Sequence, residues 1–176
     1  MWWDQPEMIG GASTMMGTGV HAVDLMRFLI GSEVAEVNAM TDGQTDQQPL
    51  EQLATLSLRF DGGVIATIAC SRLLPDSRND FTIYGSLGRV RGEATLWEAR
   101  QGRVELISED VHRTGVCPDQ YLGNFIAEVE DFHQAIEEDR EPAATGVDGL
   151  RVVEITLAMI ESARDGRTVK LERVEV

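Results

Sequence analysis

The sequence predicts an α+β protein, an open and mainly antiparallel sheet with helices packed on one face, and three observations carry that reading. Apolar residues recur at a helical period up to Gly31. Short strand-like runs joined by tight glycine-containing turns follow, and two further helical stripes come near the end. A chain of 176 residues has the length of one well-buried domain, so residues 1–176 are expected to form a single one.

The first helix is expected from Thr14 to Ile30. Met16, Val20, Val23, Leu25, Phe28, Leu29 and Ile30 supply its apolar positions, and Gly31 stops it. The period then changes to two from Val34 to Met40, and Thr41-Asp42-Gly43 closes that strand as a turn. Leu53–Phe60 and Val64–Leu73 read as strands joined by Asp61-Gly62-Gly63, an Asp-Gly hairpin signal. Phe81–Tyr84 and Arg89–Arg91 flank Gly85-Ser86-Leu87-Gly88, and Thr95–Ala99 and Arg103–Ile107 flank Arg100-Gln101-Gly102, which predicts two more hairpins. Ser108–Pro118 is polar, carries Gly115 and Pro118, and reads as a loop. Tyr121, Leu122, Phe125, Ile126, Val129, Phe132 and Ile136 form a helical stripe ended by an acidic run and Pro142. A last helix should start near Thr145–Asp148, bury Leu150, Val153, Ile155, Leu157, Ile160 and Ala163, and stop at Asp165-Gly166. Val169–Val174 reads as a short final strand.

A net charge of −15, with acids concentrated between Glu128 and Glu141, repels phosphate backbones and anionic lipid, so nucleic-acid and membrane roles are disfavoured. The longest uncharged apolar run, Val64–Cys70, is far short of a membrane span, and no basic-then-apolar leader opens the sequence, so the expected location is the cytoplasm. Cys70 and Cys117 lack C-x-x-C spacing and a histidine cluster. Both are expected as reduced thiols, with no metal site.

Gly17-Thr18-Gly19-Val20-His21-Ala22 fits the G-x-G-x-x-A form of a dinucleotide loop. Such a loop needs a buried strand before its first glycine, and the preceding MWWDQPEMIGGASTMM offers none. Of the candidates for the distal ribose-binding acid, Glu36 sits inside a strand and Asp42 lies too far along. Hairpins also follow where alternating strands and helices should stand, so no dinucleotide-binding domain and no cofactor-binding residues are expected in this chain.

The run from Gly10-Gly11-Ala12 through Gly17-Thr18-Gly19-Val20-His21-Ala22-Val23-Asp24 to Gly31 resembles a characteristic segment of the glucose-fructose oxidoreductase, inositol dehydrogenase and rhizopine-catabolism (Gfo/Idh/MocA) family. Later segments resemble it in order and spacing: Leu58-Arg59-Phe60-Asp61-Gly62-Gly63, Ile83-Tyr84-Gly85-Ser86-Leu87-Gly88, Asn124–Ile136, and Gly146-Val147-Asp148-Gly149-Leu150 through Arg167. The resemblance implies the C-terminal half of a two-domain dehydrogenase. NAD or NADP would be bound by a domain not present in these residues, and the substrate would be a sugar, inositol or related polyol. It also implies a substrate-binding and oligomerisation role, with a homo-oligomer formed through the open sheet face.

Within that frame His21 takes the position of the catalytic group that exchanges the hydroxyl proton, a task histidine performs near neutral pH. Gly17, Thr18, Asp24 and Trp3 are the candidate substrate-binding residues. Gly17 stands where many members carry an aspartate, four residues before the histidine and on the same helical face. Trp2 and Trp3 are equally suited to lining a cleft or covering the core. His112 and His133 have no motif around them and are expected to be structural or exposed. Two alternatives remain open: a non-catalytic binding or assembly module that kept the fold without the chemistry, and a small lyase or isomerase using His21 with Asp24.

Overall fold

The computed structural model describes residues 5–175 except 44, 46, 76, 78 and 97–99. It has two compact units, Met1–Leu74 with Ala144–Val176, and Pro75–Ala143. Each carries one antiparallel four-stranded sheet, so the α+β class and the antiparallel pairing hold, while the strands divide into two sheets.

In the first unit a π-helical turn, Met15–Gly19, runs into α1, Val20–Ile30, and Gly31 ends the helix in the left-handed region at φ 66°. The strands are β1 (Val34–Thr41), β2 (Leu53–Phe60) and β3 (Ile65–Ser71). After the second unit, α3 (Gly146–Asp165) and β8 (Val169–Lys170) complete this one, and the sheet order is β3-β2-β1-β8. Alternation on β2 is strict: Ala54, Leu56, Leu58 and Phe60 are buried, whereas Thr55, Ser57 and Arg59 face out. Paired across from them, Cys70, Ile68 and Ala66 of β3 extend the buried face. Met15 and Val23 from the first helical segment and Ile155, Ala158 and Met159 from α3 pack against it.

Helix phase is where the structure departs from the sequence reading. Met16, Phe28 and Leu29 are exposed, whereas Val23 is buried as expected and Met15 and Gly19 are buried besides. The π turn accounts for the change. Its hydrogen bond from Val20 N–H to Met15 O closes a wider loop than an α-helical one, which rotates the stripe off a uniform 3.6-residue period. On α3 the buried side is Ile155, Ala158 and Met159 with Thr156 and Ser162, and the predicted core residues Val153 and Leu157 are exposed. The two buried hydroxyls are satisfied: Thr156 donates to Val152 O, and Ser162 donates to Arg167 O while accepting from Ala39 N. Thr145 and Asp148 form a reciprocal capping box at the start of α3.

The second unit holds β4 (Phe81–Gly85), β5 (Gly88–Glu93), β6 (Arg100–Ser108), β7 (His112–Gln120) and α2 (Gly123–Glu138), with sheet order β4-β5-β6-β7. The hairpin expected at Gly85-Ser86-Leu87-Gly88 forms, with Gly85 and Gly88 paired at its end. Gly92 is required by contact, since a Cβ there would stand 2.3 Å from the Phe81 ring. Two expectations for this region are corrected. Arg100-Gln101-Gly102 is not a turn but the start of β6, and the segment predicted as its partner, Thr95–Ala99, lies partly outside the described residues. Ser108–Pro118 is not a loop, because His112–Gln120 forms the edge strand β7. An edge strand tolerates Gly115 and Pro118 and buries no face, so it lacks the alternation by which strands are read. The apolar stripe of α2, including Phe125, Val129, Phe132 and Ile136, is exposed. The predicted final strand shortens to Val169–Lys170.

Candidate functional site

The segment around His21 is held by a buried carboxylate that the sequence reading passed over. Glu51, which precedes β2 and is 0% exposed, accepts hydrogen bonds from Ser13 N at 2.9 Å and Met15 N at 2.7 Å. Thr14 Oγ1 donates to the Glu51 carbonyl, 3.3 Å away. These amides belong to the first turn, where N–H groups lack helical acceptors and the helix dipole favours negative charge. No spacing announces Glu51, because it acts from a loop 36 residues downstream of Met15.

The far end of β3 buttresses the same turn. Gly19 is buried there, and a Cβ on it would lie 3.5 Å from Cys70 Sγ. Gly19 therefore faces the sheet and opens no space for a ligand. Gly17 is the open position: it is exposed and nothing lies within 4 Å of where its Cβ would be. Thr18 is exposed and donates Oγ1–H to Thr14 O at 3.0 Å, so its hydroxyl proton is used within the turn. Burial pushes the Cys70 thiol up from its ordinary value, and both Cys70 and Cys117 are free thiols.

His21 is exposed on the first turn of α1. Gly17, Thr18 and His21 thus share one helix entrance. Asp24 is half-exposed, and its carboxylate engages Arg27 Nη1 at 3.2 Å. Arg27 is buried and also binds Glu33 at 2.7 Å and Asp148 at 3.3 Å, which ties α1 to the start of α3. Trp3 lies outside the described residues. His112 is exposed, and His133 is exposed beside Glu137 at 3.5 Å. No group of three metal-binding side chains occurs among the described residues, and no helix among them is long and apolar enough to cross a membrane.

The Arg27 cluster sets a pH dependence. Hydrogen bonding to Arg27 holds the Glu33 carboxyl below its ordinary range, and bonds from Thr145 do the same for Asp148. A carboxylate depressed on folding contributes stability that is fully present above its unfolded value, about 4.3 for Glu, and that is lost as pH falls through the folded one. Urea midpoints measured from pH 6 down to pH 3 are expected to fall below about pH 4.3, and less steeply in Glu33→Gln than in wild type. Equal slopes would remove Glu33 from the account.

A model of the oxidoreductase family described as the C-terminal alpha/beta domain matches residues 1–171. Among curated proteins, the chain is 25% identical over 170 residues to 1,5-anhydro-D-fructose reductase of Ensifer adhaerens, covering 96% of this chain and 50% of that protein. It is 27% identical over 166 residues to myo-inositol 2-dehydrogenase of Thermotoga maritima, covering 88% and 48%. The chain spans about half the length of the curated relatives it matches. Among solved structures, aldose-aldose oxidoreductase of Caulobacter crescentus superposes with a TM-score of 0.82 at 24% identity, covering 97% of this chain and 51% of that one. Levoglucosan dehydrogenase superposes with a TM-score of 0.80 at 21% identity, covering 99% and 54%. At such identities these superpositions establish the fold.

Proposed function

Because this chain belongs to the Gfo/Idh/MocA oxidoreductase family as its C-terminal alpha/beta domain, we propose that it is the substrate-side domain of an NAD(P)-dependent dehydrogenase acting on a sugar, inositol or related polyol. The observation that carries this reading is His21, exposed on the opening turn of α1 and preceded by a glycine with empty space around it. In oxidation of a carbon bearing a hydroxyl, the His21 imidazole would take the hydroxyl proton, and in reduction it would return it. NAD or NADP, held by a domain outside these residues, would supply the hydride chemistry. Gly17 leaves room for substrate beside the imidazole, Thr18 offers acceptor lone pairs, and Asp24 fixes its turn of α1 through Arg27.

The open face of the first sheet is the proposed surface of a homo-oligomer. It carries Thr55, Ser57, Thr67 and Ala69 with exposed Met40 and Ile65, and its charges are paired, Glu36 with Arg59 and with Lys170. A flat, weakly charged face of this kind gains by covering its apolar atoms. The expected location is the cytoplasm.

Two measurements test the reading. The 176-residue chain titrated with NADH should show no tight fluorescence binding, and fusion to a dinucleotide-binding domain of the family should confer polyol-dependent NAD(P) reduction. Tight NADH binding by the chain alone would place the cofactor site here and sink the domain assignment. Sedimentation at tens of micromolar should give a species heavier than 19.4 kDa, and a monomer would count against the sheet-face interface. The non-catalytic reading is favoured by Gly17, where no carboxylate assists His21. It predicts that the fused protein turns over nothing.

A further inference from the structure

A polar cleft of about 430 Å³ opens beside the entrance to the first helical segment, between Ser13, the Gln47–Gln52 loop and Arg72. Cys70 and Arg72 lie two residues apart at the end of β3. Cys70 packs against Gly19, and Arg72, the residue just past the end of β3, places its Nη1 2.9 Å from Ser13 Oγ. The cleft therefore adjoins the turn that leads to His21.

The charge pattern gives the cleft its chemistry. The sequence holds 30 acidic residues against 15 basic ones, and most described arginines are paired with a carboxylate. Arg72 is exposed, and among the described residues its guanidinium meets a hydroxyl but no carboxylate. The nearby acid, Glu51, is fully buried and occupied by the Ser13 and Met15 amides. Gln47, Gln48 and Gln52 line the remaining wall together with Pro49, Leu50 and Glu51 itself. An exposed guanidinium lining a cleft, with no carboxylate partner among the described residues, matches a planar two-oxygen anion, which it binds by paired charge-assisted hydrogen bonds. A single cation, the buried Glu51 carboxylate in the lining and a net charge of −15 suit a monoanion better than a phosphate dianion.

We propose that the cleft seats the carboxylate of an acidic sugar, an aldonate or a uronate, with Arg72 as its cation and the neighbouring glutamine amides as further donors. The proposal rests on the oxidoreductase reading and narrows its substrate class.

Calorimetric titration of the 176-residue chain with sodium glucuronate, sodium gluconate, glucose and glucose 6-phosphate tests it. One of the two carboxylates should bind at least about ten-fold tighter than glucose, the scale of a charge-assisted pair, and the phosphate ester should gain no such advantage. Arg72→Gln should abolish the preference while leaving the melting temperature close to wild type, and Arg72→Lys should recover part of it. Equal affinity for glucuronate, gluconate and glucose, a preference that survives Arg72→Gln, tightest binding of the phosphate ester, or no saturable binding of either carboxylate would each overturn the assignment. The NADH titration tests the domain assignment without engaging Arg72, so failure of the oxidoreductase reading and failure of the carboxylate seat are told apart.

Discussion

Replacing His21 with glutamine in the chain fused to a dinucleotide-binding domain is expected to lower kcat for polyol oxidation by about 10²- to 10⁴-fold, the range that a positioned acid-base group contributes. The loss should fall on kcat far more than on KM, because glutamine keeps a hydrogen-bonding side chain but cannot take a proton. His21 is exposed, so the substitution removes no core contact and the melting temperature should hold. A loss of less than about three-fold would exclude proton transfer at this residue. Gly17→Asp sharpens the test. Nothing lies within 4 Å of the Gly17 Cβ position, so the side chain fits, and it places a carboxylate four residues before His21. Several-fold faster turnover in Gly17→Asp that vanishes in the Gly17→Asp, His21→Gln double variant would show that the two act as a pair. Additive effects would show that they do not.

Glu51→Ala is expected to destabilise the first unit by about 3–5 kcal/mol, combining orphaned amides at about 1–3 kcal/mol each with the lost charge at the helix start. The carboxylate is 0% exposed and binds Ser13 N and Met15 N, so no solvent stands ready to replace it. Glu51→Gln keeps an acceptor oxygen and should cost less than the alanine change. Urea denaturation gives the free energy, and amide hydrogen exchange localises it, since Ser13 and Met15 should lose protection first. A cost below about 1 kcal/mol for Glu51→Ala would mean that the turn holds itself together. Because this turn carries Gly17 and leads to His21, the same variant should depress turnover in the fused protein even where the domain remains folded.

The secondary structure was legible wherever one face of an element is buried and the other is wet. Leu53–Phe60 appears at its expected boundaries because Ala54, Leu56, Leu58 and Phe60 are buried in alternation. The αL stops at Gly31 and Gly166 and the capping box at Thr145 are local chemistry and were equally readable. His112–Gln120 was misread because an edge strand with exposed side chains has no such alternation. The helix phase was not legible because the turn is a π turn whose contacts, Glu51 and Cys70, lie far along the chain.

The sequence by itself determined the α+β class, the antiparallel pairing of strands and the family. Each of these is written in nearest-neighbour chemistry: periodicity, turn residues and short motifs. Only the tertiary structure decided that Gly19 faces the sheet while Gly17 stands open, that Asp24 serves Arg27, that Glu51 anchors the turn, and that Arg72 stands beside Ser13 with no acid partner among the described residues. The reason is physical. These contacts join residues separated by tens of positions along the chain, and whether a polar side chain is satisfied or free depends on which distant partner the fold brings within about 3 Å.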